Sequence, residues 1–131
     1  MLRQITNLRF ALLADAVASG ATGLMMIAGA DLLTGLLGLS VALMREAGLL
    51  LVPFVALVAY VGTRQNIPHG AVKTIIALNV LWVLASAGLL VSGLVAPTAL
   101  GYAFVIAQAI VVGVFAELQF TGLRRERAVT A

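Results

Sequence analysis

Two carboxylates and two amides interrupt stretches otherwise built from Ala, Gly, Leu, Ile and Val: Asp15, Asn79, Gln108 and Glu117. In a bilayer such groups are expensive, at about 2.5 to 3.5 kcal/mol for an acid at a helix centre, so they face a bundle interior and find partners. A carboxylate there can hold or pass a proton or receive a donor from a ligand, and an amide can both give and accept a hydrogen bond. Trp82 lies one turn from Asn79. Asp15, Asn79, Trp82, Gln108 and Glu117 are therefore the candidate ligand-binding residues.

Other chemistries lack their residues. General acid–base catalysis needs two or more positioned groups; only Asp15 and Glu117 qualify, so no catalytic residue is assigned and an enzyme ranks last. The chain has no cysteine, which removes disulfides, thiolate catalysis and cysteine-held metals. His69 is the single histidine and falls in an N-I-P-H-G turn, where one ligand holds neither a metal nor a haem inside the membrane. No metal site and no cofactor is expected.

The setting follows from composition. In 131 residues, 63% are hydrophobic and 10% charged, with a mean hydropathy of +1.15, against about 25% charged in ordinary globular domains. A helix needs about 20 apolar residues to cross a bilayer. Runs that meet this lie at about 10–30, 45–64, 74–94 and 97–120. The expected fold is an all-α membrane protein, a single four-helix transmembrane bundle with lipid as its first partner.

The first run resembles a signal peptide in its Arg3 and Arg9 start, but it is long and contains Asp15, so it reads as a spanning helix. Pro53 in the second run predicts a kink, and Pro97 suits the first turn of the fourth helix. Between the first two spans, D-L-L-T-G-L-L-G-L-S at 31–40 is too apolar for a solvated loop and too short to cross. It reads as a short helix in the interface.

Positive residues mark the cytoplasmic side. Arg3, Arg9, Arg64, Lys73, Arg124, Arg125 and Arg127 fall on one side of this topology, and only Arg45 on the other. Both termini are expected in the cytoplasm, and the excess of arginine over lysine amid Ala, Gly, Leu and Val matches a bacterial inner membrane. The net charge of +3 needs no nucleic acid to explain it, because no basic face exists outside the chain ends and one loop. Arg45 and Glu46 mark the far boundary of the second span, with Asp31 in reach.

The chain also hints at an internal duplication. A shift of 64 residues superposes Asp15 on Asn79, Thr22 on Ser86, Gly29 on Gly93 and Thr34 on Thr98, and a shift of 60 superposes Tyr60 on Phe120 and Arg64 on Arg124. Chance matching of low-complexity helices explains the same pattern. If it is real, two tandem hairpins are related by an axis along the membrane normal, with Asp15 and Asn79 neighbours near it.

The length, four spans and acidic residue in the first helix resemble small multidrug resistance transporters. Those proteins carry little charge bias and an embedded glutamate; here the bias is steep, the residue is Asp15, and it lies nearer the interface, so their activity is not carried over. The R-F-A-L-L-A-D-A-V-A-S-G-A-T-G start, the L-L-G-L segment, N-V-L-W-V-L-A-S and A-E-L-Q-F-x-G-L-R-R together resemble a type of small four-span inner-membrane protein common in proteobacterial genomes. That resemblance covers nearly the whole chain, and it implies the fold and the membrane but no activity.

Two functions stay open on the residues. In the first, Asp15, Asn79, Gln108 and Glu117 line a polar cavity in the cytoplasmic half that binds or transports a small ligand, with Trp82 beside it. In the second, the acids pair with Arg9, Arg64 or Arg124, Asn79 joins helices, and the chain is a structural or accessory subunit. Small residues at Ala16, Ser19, Gly20, Gly23, Ala85, Gly88, Ala109 and Gly113 would then serve either internal packing or a homo-oligomer.

Overall fold

The computed structural model describes the backbone of residues 7–130 and the side chains of 8–125. Five helices follow one another: α1 Asn7–Ala28, α2 Ala30–Leu37, α3 Val41–Gly62, α4 His69–Ser92 and α5 Ala99–Thr130. Four of them, all but α2, are long and apolar enough to cross a membrane. Arg3 lies outside the described residues, and Arg127 only contributes backbone to α5.

The ends of these helices are set by capping groups rather than by the limits of apolar runs. The α3 helix starts at Val41, not near 45, because Ser40 Oγ accepts from Leu43 N at 3.0 Å. The α4 helix starts at His69, not 74, so His69 occupies a first turn instead of a solvated loop. Pro97 precedes α5 rather than opening it: Thr98 takes the capping position, its Oγ1 accepting from Gly101 N at 3.1 Å. At the other end α5 continues past Phe120 to Thr130, since arginine and glutamate favour the helix. The α3 helix is assigned without a break through Pro53.

The expected interfacial segment is α2, which follows α1 after Gly29 alone. It ends at Gly38, whose φ of +73° is a conformation that costs other residues roughly 1 to 2 kcal/mol. Beyond it, Thr98 N donates to Leu37 O at 3.0 Å and Thr98 Oγ1 to Leu36 O at 2.7 Å. Backbone passes so closely here that a Cβ on Gly101 would collide with the Leu37 carbonyl. The link ties α2 to the start of α5. On the solvent side, Arg45 pairs with Asp31 at 3.1 Å.

Around the bundle the order is α3, α1, α5, α4: α1 packs along α3 and against α5, α4 packs along α5, and α3 and α4 barely meet. Two apolar layers hold this arrangement. The layer at the Arg9 end takes residues from all four spans, Leu8 and Leu12 against Val58, Val61, Val72, Ile75 and Leu123. The layer at the α2 end is built from Met26, Leu37, Met44, Leu51 and Val105, and α4 adds only partly buried side chains to it. Consequently α4 is the least buried span.

Candidate binding cleft and its polar wall

A buried carboxylate must be surrounded by donors, and the bundle supplies three. Asp15 is fully buried. Its Oδ1 accepts from Ser19 Oγ at 2.9 Å, one turn on along α1. Its Oδ2 accepts from Asn79 Nδ2 on α4 at 2.9 Å and from Gln119 Nε2 on α5 at 2.7 Å. Asn79 Nδ2 also donates to Gln119 Oε1 at 3.0 Å, closing a ring of three side chains from three helices. Among the described residues no cation touches the carboxylate. Arg9, a sequence candidate for that role, donates from Nη1 to Gly62 O at 2.6 Å, which places its charge at the negative end of α3.

Asp15 and Asn79, 64 residues apart, are thus in direct contact, as equivalent positions of two hairpins near an axis would be. Gln119 is the member that sequence reasoning missed. Glu117 was expected in its place, but its side chain is exposed, and its backbone carbonyl accepts from Thr121 Oγ1 at 2.9 Å. The reason is angular. Residues two apart on a helix point about 200° away from one another, and Gln119 shares its face with buried Ala116 and Leu123. That face was the signal available in the sequence; a carboxylate drew attention away from the amide beside it.

Trp82 and Gln108 form a second polar group farther along the same helices. Trp82 Nε1 donates to Gln108 Oε1 at 2.7 Å, Gln108 Nε2 to Ser86 Oγ at 3.0 Å, and Ser86 Oγ back to Trp82 O at 2.8 Å. In both groups the side chains bond to one another across helices. The expectation of a polar cavity lined by Asp15, Asn79, Gln108 and Glu117 is corrected accordingly: Asp15 is closed off behind its donors and Glu117 is exposed on another face, while Asn79 and Gln108 border open space.

The open space is apolar and lies between α3 and α4, where the helices diverge. A cleft of about 550 Å³ is walled by side chains that include Leu51, Phe54 and Leu57 of α3 and Leu78, Leu81 and Ala85 of α4. Ser19, Asn79 and Trp82 are its polar edge. A smaller space of about 260 Å³, reaching Thr22, Phe104 and Phe115, shares Ser19, Leu51, Trp82 and Val112 with the cleft. Ser19 and Asn79 therefore form a wall between the buried Asp15 carboxylate and an apolar chamber.

Among the described residues no group of three or more His, Asp or Glu side chains converges. No family model matches the chain, and neither a curated protein nor a solved structure shows significant similarity to it. Fold and cleft define a small multi-pass membrane protein.

Proposed function

We propose that this is a bacterial inner-membrane protein, with both termini in the cytoplasm, that binds a small lipid-soluble molecule in the cleft between α3 and α4. The observation that carries the reading is the cleft itself. Its volume of about 550 Å³ falls in the range of roughly 300 to 1,000 Å³ of small-molecule sites, and its apolar walls with a few convergent polar groups match their chemistry. A cleft opening between two weakly joined spans receives its ligand sideways from the bilayer. The orientation draws on Arg9, Arg64, Lys73, Arg124 and Arg125 gathering at one end of the bundle, with Arg45 at the other.

Trp82, the only tryptophan, borders the cleft and reports its occupancy. A brominated alkane added to vesicles containing the chain should quench its emission saturably. Ala85→Phe fills the cleft without touching a hydrogen bond and should abolish the saturation. Linear quenching, equal in both proteins, would leave the cleft as ordinary lipid-facing surface.

A second reading, an accessory subunit that associates with another copy, draws on a groove of about 460 Å³ on the outer face of α4 and α5, where Ala87, Ala109 and Gly113 are small. It requires a defined oligomer in mild detergent that Gly113→Leu dissociates; a monomeric wild type would dispose of it.

A further inference from the structure

The polar edge of the cleft is chemically one-sided. Asn79 Nδ2 gives one hydrogen to Asp15 Oδ2 at 2.9 Å and the other to Gln119 Oε1 at 3.0 Å. That fixes the amide, since the reversed orientation would set Oδ1 against two acceptors. The remaining polar atom of Asn79, Oδ1, has no partner among the described residues, although the residue is only 2% exposed. No side-chain N or O atom described as buried lacks a partner, so Oδ1 is open to the cleft that Asn79 lines.

Its neighbours have the same polarity. Ser19 Oγ commits its hydrogen to Asp15 Oδ1 and keeps lone pairs. Trp82 commits its single N–H to Gln108 Oε1. The edge thus presents acceptors, and each donor on it is engaged. The Asp15 carboxylate behind Asn79 strengthens this, because an amide whose N–H groups bond to a carboxylate becomes a better acceptor at its oxygen.

We infer that the ligand of the cleft is an apolar molecule bearing a hydroxyl donor, a lipid-soluble alcohol or phenol, whose O–H is directed at Asn79 Oδ1. This rests on the cleft being a binding site, and it adds the chemical class of the ligand. An ether or ester of the same shape sets lone pair against lone pair and leaves a buried acceptor unsatisfied, which is where such sites discriminate most. Asn79 lies ten residues into α4, about 15 Å from its start at His69. Lys73, the last charged residue of α4, comes six residues before Asn79, which therefore belongs to the apolar part of the span, and so the donor is assigned to the apolar molecule itself and not to a phospholipid headgroup.

The test compares a brominated alkylphenol with its methyl ether on the full-length protein in phosphatidylcholine vesicles, reading Trp82 quenching against the measured membrane concentration of each probe. The phenol should half-saturate at about tenfold lower concentration, the equivalent of about 1.4 kcal/mol. Ala85→Phe should weaken both probes, and Asn79→Leu should bring the phenol down to the level of the ether. Because Asn79→Leu also removes two hydrogen bonds from the ring, the comparison of the two probes on wild type decides alone. Equal saturable quenching, or tighter binding of the ether, overturns the hydroxyl assignment and leaves the cleft as a binding site. Unsaturable quenching by both probes, unaltered in Ala85→Phe, overturns both.

Discussion

Asp15 shows how a single acid is held where, among the described residues, no cation meets it. Three donors from α1, α4 and α5 converge on its two oxygens, so the residue joins helices rather than standing open to a cavity. Interhelical hydrogen bonds in membranes contribute on average about 0.6 kcal/mol and at most about 1.7, while a buried polar group stranded without its partner costs about 1 to 3 kcal/mol. Gln119→Leu takes one bond from Asp15 and leaves one Asn79 N–H unpaired, while the Ser19 and Asn79 bonds to Asp15 remain, and it should destabilise the detergent-solubilised protein by about 1 to 3 kcal/mol in thermal unfolding. Glu117→Gln, at an exposed side chain, should stay within about 0.5 kcal/mol. The opposite ranking would mean that the acid, not the amide, belongs to the ring. Asp15 and Asn79 were legible as a pair because the 64-residue shift aligned them. Gln119 was not, because polarity draws the eye to charge, whereas burial on a helix is decided by angle.

At the scale of elements, the spans and the short α2 between the first two were legible in hydropathy, since a run of about 20 apolar residues has few alternatives in lipid. Their limits were less so. Ser40 and Thr98 end the connecting segments through hydrogen bonds that hydropathy does not weigh, and arginine-rich α5 stays helical where it ceases to be apolar. The junction of α2 with α5 was not legible at all, because it joins residues about 60 apart through backbone approach. It carries its own prediction. Gly38→Ala meets both a φ of +73° and the Thr98 nitrogen 2.8 Å from its Cβ, and it should lower stability by more than about 1 kcal/mol. Gly88→Ala meets nothing within 4 Å and should be neutral or gain up to about 1 kcal/mol from helix propensity. Thermal unfolding of the two variants checks the contrast, and equal effects would remove the junction from the account.

The whole molecule is a ring of spans left incomplete between α3 and α4. Four helices packed on all sides would leave no chamber; here α4 packs along α5 but barely meets α3, and the cleft follows. The charge distribution, read from the sequence alone, gives a prediction at this scale. The chain lacks cysteine, so single introduced cysteines report topology directly. Ser92→Cys should react with an impermeant maleimide on intact cells, and Asn66→Cys only after permeabilisation. The reverse pattern would invert the proposed orientation.

The central claim is that the gap between α3 and α4 holds a ligand and is more than lipid-facing surface. Photolabelling with an aliphatic alcohol that carries a diazirine, followed by peptide mapping, addresses it most directly. Labels should concentrate on Leu51, Phe54, Leu57, Leu78 and Leu81, which wall the cleft. Labels spread over Leu24, Val91 and Ile110 in proportion to their exposure on the outer surface, with no excess in the cleft, would contradict it.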